Sequence, residues 1–232
     1  MVKRLIAELI IRGTLREIPE EDVVKETETS ADYTVTLNGV IYSSGALTYA
    51  SSSQVNDKTL QFEHGIWYSS TTAEESESKQ IIFTPELPAT FEMTGTLSVS
   101  CDDYRVEGQG IESPLLFIGF SDNGDISSTP NIAGIIIAVT SKFIHIYSIA
   151  FETYSALIEL LQPVSQAFTW KIQKTASGWY VEVSDGVTTV SAEGTGTINP
   201  EQFIAHYGEA LTTFPLNEGV TTVWTVDSVT EL

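Results

Sequence analysis

Residues Gly178-Trp179-Tyr180-Val181-Glu182-Val183-Ser184-Asp185-Gly186 decide the fold class of this chain. Side chains along a strand alternate between its two faces, so Trp179, Val181 and Val183 share one face and Tyr180, Glu182 and Ser184 the other. Asp185-Gly186 then supplies a turn. Upstream, residues 168–175 hold Trp170 and Ile172 at the same two-residue period, which predicts a hairpin with Gly178–Ser184. Downstream, residues 187–192 continue as a third strand.

The pattern repeats outward. Residues 33–37, 40–42, 59–62, 65–69, 81–83, 90–100 and 115–121 read as strands, with Asn38-Gly39 as a turn between the first two. Residues 132–140 and 143–151 read as a hairpin about Ser141 and Lys142, apolar at both parities as expected of central strands. The polar, acidic run 72–78 reads as a surface loop. One helical turn is expected at 200–207, with Asn199 as N-cap, Pro200 at the first helical position, Gln202 reaching back and Gly208 ending it. Residues 221–232 close the chain as a long β-prone run.

At 232 residues with 42% hydrophobic content, the chain is long enough for one large sandwich. The net charge of −20 argues against nucleic-acid binding, which needs clustered cations, and against attraction to anionic membranes. Cys101 is the single cysteine, so no intramolecular disulfide is expected. Five of the eleven basic residues, Lys3, Arg4, Arg12, Arg16 and Lys25, lie in the first 25 positions, interleaved with Leu5, Ile6, Leu9, Ile10 and Ile11. Glu8 and Arg12 interrupt that apolar stretch and no small-residue cleavage site follows, so it reads poorly as a signal peptide and no membrane span is expected. Helix and strand both fit residues 2–18, with two short strands about Gly13 the preferred reading. The acidic run from Pro19 to Glu28 reads as a linker, giving an extension over 1–32 and a body over 33–232.

The order of these pieces resembles the concanavalin A-like and laminin-G-like jelly rolls. The resemblance rests on the strand from Phe91 to Ser100, Leu115-Leu116-Phe117-Ile118-Gly119, Trp170-Lys171-Ile172, the stretch from Gly178 to Gly186, and Val223-Trp224-Thr225-Val226-Asp227-Ser228-Val229. It implies an all-β, two-sheet antiparallel jelly-roll sandwich with a short N-terminal extension. Members of that superfamily include lectins, adhesion modules, glycoside hydrolases and phage surface domains, so the fold leaves function open.

Hydrolases of the superfamily set paired carboxylates on one strand as Glu-x-Asp-x-x-Glu. No such run occurs here; Glu20, Glu21, Asp22 and Glu26 approach it in composition only, so no catalytic residue is expected. Lectins of the legume type hold metal ions with aspartate and asparagine. Asp122, Asn123 and Asp125, with Asn131 nearby, offer oxygen ligands suited to calcium, although Asp-Asn-Gly-Asp is equally an ordinary turn. Calcium is the one cofactor considered. For glycan contact the candidates are His145, Tyr147, Tyr180 and Glu182, which could stack on and hydrogen-bond a sugar but are also ordinary half-buried sheet residues. Trp67, Trp170, Trp179 and Trp224 are expected in the core. His64 and His206 have no partner spacing, and Asp102 and Asp103 disfavour a reactive thiolate at Cys101.

The expectation is a non-catalytic virion component, a capsid decoration, fibre or tail-surface protein made in a host cytoplasm. Its partners would be other virion proteins or copies of itself, with surface glycans as ligands. Lys3, Arg4, Leu5, Leu9, Arg12 and Arg16 would form an attachment segment, the equal alternative being that Leu5–Ile11 is the first strand of the sandwich, paired with the C-terminal strand. A free carbohydrate-binding module or lectin is the alternative, and a glycoside hydrolase is third.

Overall fold

The computed structural model describes residues 32–44, 50–66, 76–101, 115–120, 136–140, 143–147, 154–160, 164–195, 199–208 and 218–232. They form fourteen strands: β1 (Thr34–Ser44), β2 (Ala50–Asn56), β3 (Thr59–Ile66), β4 (Ser76–Thr84), β5 (Phe91–Cys101), β6 (Leu115–Phe120), β7 (Ile136–Thr140), β8 (Phe143–Tyr147), β9 (Tyr154–Glu159), β10 (Val164–Lys174), β11 (Gly178–Ser184), β12 (Thr189–Thr195), β13 (Phe203–Gly208) and β14 (Glu218–Glu231). The first sheet runs β1-β4-β13-β6-β7-β8-β9 and the second β12-β11-β10-β5-β14-β3-β2. Every neighbouring pair is antiparallel, and the chain crosses repeatedly between the sheets. The chain is a two-sheet jelly-roll sandwich.

Its core follows from strand alternation. In β5, Phe91, Met93, Leu97 and Val99 are buried while Thr96, Ser98 and Ser100 face out. Aromatic rings join the two sheets: Phe91 of the second meets Phe120 of the first at 5.8 Å, Phe120 meets Phe203 at 4.8 Å, and Phe203 meets Phe83 at 5.5 Å. Full burial of each such ring stabilises the fold by about 1.5–3 kcal/mol. Trp170, Trp179 and Trp224 are buried as expected; Trp67 lies outside the described residues.

Two tryptophans need glycines opposite them. Trp170 pairs with Gly95 and Trp179 with Gly194. A Cβ on Gly95 would sit 1.8 Å from the Thr225 carbonyl oxygen and 2.5 Å from the Trp170 ring; one on Gly194 would sit 2.4 Å from the Trp179 ring. The missing side chains leave room for the indoles to lie across the neighbouring strand.

Several local expectations are corrected. Asn38-Gly39 is not a hairpin turn: β1 runs through it with an irregular register, and Gly39 takes φ +30°. Residues 59–62 and 65–66 are one strand and not two, because β3 is continuous from Thr59 to Ile66, while 67–69 of the expected second strand lie outside the described residues. The expected loop 72–78 overlaps β4, where Ser78 is fully buried. The helical turn at 200–207 is a short 3-10 turn, Pro200–Gln202, followed by β13. Asn199 does cap it, accepting from the Glu201 amide at 3.0 Å, but the Gln202 side-chain oxygen has no partner among the described residues. Pairing with β4 and β6 and burial of Phe203, Ile204 and Ala205 outweigh one turn of helix. Strands β2 and β9 were not foreseen; β2, Ala50-Ser51-Ser52-Ser53-Gln54-Val55-Asn56, carries no apolar alternation to announce it.

Candidate functional site

The outward face of the second sheet carries a polar surface arranged by strand register. Register places Thr59 opposite Thr225, Thr225 opposite Thr96, Thr96 opposite Thr169, Thr169 opposite Ser184, and Ser184 opposite Thr189. One hydroxyl row therefore crosses β3, β14, β5, β10, β11 and β12. With strands about 4.8 Å apart, the row is about 24 Å long. Its inward neighbours Leu60, Trp224, Leu97, Phe168, Trp170 and Val183 are buried, which fixes the hydroxyls outward. Thr96 donates to Thr225 at 3.0 Å and Thr189 to Ser184 at 2.9 Å. A hydroxyl has one donor and two acceptor sites, so Thr96 and Thr225 keep capacity for a ligand. Ser184 is instead committed to its own turn, donating to the Thr188 carbonyl and accepting from the Gly186 amide and Thr189.

The row below it, Ser228–Thr94–Lys171–Glu182–Ser191, is also set by register. The Tyr180 hydroxyl donates to Glu182 Oε2 at 2.6 Å, Lys171 Nζ stands 3.7 Å from the same oxygen, and Lys171 Nζ lies 5.2 Å from the Tyr180 ring centre. Acceptance by Glu182 holds the Tyr180 hydroxyl above its ordinary pKa, with desolvation adding to the effect. Beside them Gln173 donates to Glu92 at 2.5 Å. On the opposite side of the hydroxyl row, small side chains leave a hollow of about 230 Å³ lined by Ser98, Ser100, Ser165, Ala167, Thr221 and Val223. The face as a whole offers an uncharged hydroxyl track between a carboxylate–ammonium–tyrosine cluster and a shallow depression.

The structure divides the sequence candidates. Tyr180 and Glu182 touch each other on β11 of the second sheet, whereas His145 and Tyr147 are in β8 of the first, opposite Leu157 and Tyr154 of β9. The four do not assemble into one site. Asp122, Asn123, Asp125 and Asn131 lie outside the described residues, as do Lys3, Arg4, Leu5, Leu9, Arg12 and Arg16. Among the described residues no cluster of three His, Cys, Asp or Glu is placed to hold a metal ion. Cys101 ends β5, paired with Val164 and Val220. Asp227, the aspartate of the closing strand, is the extra residue where the β14 register shifts between Val226 and Ser228, and it is exposed. Sequence reasoning missed Thr96, Thr169, Lys171, Gln173 and Glu92. Alternation with Trp170 and Ile172 marks Thr169, Lys171 and Gln173 as outward, but only register lines them up with β5 and β11.

No family model and no curated protein matches the chain. Among solved structures it is similar to winged bean acidic lectin complexed with methyl-α-D-galactose, at 9% identity and a TM-score of 0.44 over 84% of this chain and 93% of that one. It is also similar to the exoplasmic/lumenal domain of VIP36 in its Ca2+/Man3GlcNAc-bound form, at 9% identity and 0.43 over 86% and 85%. A third is the alginate lyase AlgAT5 of polysaccharide lyase family 7, at 11% identity and 0.42 over 80% and 83%. At such identities no residue role carries over from them.

Proposed function

We propose that this chain is a non-catalytic glycan-binding sandwich carried on a virion surface, and that it binds neutral carbohydrate on the outward face of its second sheet. The observation that carries the binding reading is the hydroxyl row from Thr59 to Thr189, flanked by Glu182, Lys171 and Tyr180. Sugars present dense, neutral donor and acceptor groups, and such a row meets them without desolvating a charge. The flanking carboxylates Glu182 and Glu92 accept from Tyr180 and Gln173, as groups that fix a ligand do. The virion setting is supported by the acidic body and the short basic-aliphatic stretch ahead of it. A free carbohydrate-binding module would use the same face, and recovery of the protein in purified particles separates the two.

The test is binding to a panel of neutral and acidic polysaccharides by wild type and a Thr96→Val/Thr169→Val variant. Wild type is expected to retain a neutral polymer, and the variant, with methyls for two central hydroxyls, to bind about ten-fold more weakly, the equivalent of 1.4 kcal/mol. Undiminished binding by the folded variant overturns the assignment of this face. Release of shortened sugar chains overturns the non-catalytic reading. Loss of binding on chelation would show that a divalent ion is required, and binding that persists in an Asp122→Asn/Asp125→Asn variant would exclude those two residues as its ligands.

A further inference from the structure

A second surface feature lies on the other sheet. Pairing of β13 with β4 starts at Ile204 opposite Gln80, so Ile82 of β4 lies beyond that ladder, with the 3-10 turn Pro200–Gln202 beside it. Gln80 pins this turn by donating to the Glu201 carbonyl at 2.9 Å. The result is a groove of about 220 Å³ lined chiefly by Ile82, Phe83, Leu87, Pro200, Glu86 and Glu201. Ile82 is 36% exposed although it is a large aliphatic residue, and Glu86 and Glu201 are both exposed. Among the described residues no cation lines the groove. An aliphatic floor with two carboxylates at its rim fits an aliphatic side chain flanked by basic groups.

The chain carries one stretch of that chemistry. Residues 3–16 hold Lys3, Arg4, Arg12 and Arg16 against Glu8 alone, with Leu5, Ile6, Leu9, Ile10 and Ile11 between them. The described structure begins at Asp32, and Thr34 pairs with Thr84, its hydroxyl 3.4 Å from the Thr84 carbonyl oxygen. The chain therefore enters β1 at the end of β4 that borders the groove. Residues 17–31 separate the basic stretch from this point, a tether reaching about 50 Å when extended. A separation of at most fifteen residues allows an effective concentration on the order of millimolar around the chain's own groove.

We infer that the groove between β4 and the Pro200–Gln202 turn binds the basic aliphatic stretch of residues 3–16 of the same chain. An Ile or Leu side chain enters between Ile82, Leu87 and Pro200, and basic head groups meet Glu86 and Glu201. The inference stands apart from the glycan-binding face. It gives the attachment stretch a resting place from which another surface must displace it.

The test is limited trypsin digestion of the full chain, with cleavage after Arg12, Arg16 and Lys25 followed by mass spectrometry. A Glu86→Lys/Glu201→Lys variant is expected to be cut about ten-fold faster than wild type after Arg12 and Arg16, with cleavage after Lys25 unchanged. Ile82→Asp is expected to do the same, and raised salt to expose wild type in part. Thermal melting of each variant checks that the body is intact; Glu86→Gln/Glu201→Gln serves if the lysine variant melts early. Equal cleavage rates in wild type and folded variants overturn the proposal. So does protection that grows with protein concentration, which would move the stretch to a second copy.

Discussion

The two faces of the second sheet are built from the same strands and obey opposite rules. Inward, Trp170 lies across Gly95 and Trp179 across Gly194, with Trp224 6.1 Å from Trp170. There volume is fixed to within a methyl group, because close-packed side chains and backbone leave nowhere for an added atom to go. Outward, the same strands present Thr96, Thr169, Thr225 and Ser184, which meet solvent and one another. A change there alters the polar surface and leaves the packing alone. Stability thus resides on one face and the proposed ligand chemistry on the other, so substitutions separate them.

The largest effect is expected on the inward face. Gly95→Val places a branched side chain where even a Cβ falls 1.8 Å from backbone, so β5 and β14 must part. The expected cost is about 3 kcal/mol or more, read as a large fall in melting temperature or loss of soluble protein. Gly194→Ala meets only the Trp179 ring, and it lies in the edge strand β12, which can give way. Its cost is expected to be smaller, about 1–2 kcal/mol. Equal losses at the two sites would break the comparison between a central strand and an edge.

Thr96→Val/Thr169→Val should shift stability by only about 1 kcal/mol, since the hydroxyls are outward and valine suits a strand. Chemical denaturation gives this directly. A fall as large as that of Gly95→Val would show that the outward face is also core.

The smallest effects are electrostatic and of opposite sign in pH. The Tyr180 pKa is raised by its bond to Glu182, so its contribution is present below the ordinary tyrosine pKa and is lost as pH rises through the higher folded value. Asp185 accepts from the Thr188 and Val187 amides at 2.6 and 2.8 Å, which hold its pKa below the ordinary aspartate value. Its contribution is present above that ordinary value and is lost as pH falls through the lower folded one. Amide shifts of Val187 and Thr188 moving at low pH, with Tyr180 absorbance titrating late at high pH, check both signs.

The hairpin over residues 168–184 was legible because both its signals are local: two-residue alternation of bulky apolar residues and a turn with its own chemistry. β13 was misread for the same reason, because Asn199, Pro200 and Gln202 form a local helix start while the partners that make Phe203–Gly208 a strand lie more than eighty residues upstream in β4 and β6. β2 carried no local signal, and its strand state comes from pairing with β3. Tyr180 and Glu182 were readable as neighbours on one face, since they are two residues apart. That His145 and Tyr147 stand in the other sheet was not readable, because sheet membership is not a property of either segment.

The sequence by itself determined the class: alternation, turn residues and apolar content leave a chain of this length little but an antiparallel sandwich. It also determined which side of β10 and β11 faces water, because burial of Trp170, Ile172, Trp179 and Val181 forces Thr169, Lys171, Tyr180 and Glu182 outward. Which strands lie side by side, and in what register, only the tertiary structure decided. A hydroxyl row drawn from six strands between Thr59 and Thr225 exists only once long-range pairing has set each strand against its neighbour. That pairing is set by how whole faces pack, and no short stretch of sequence carries it.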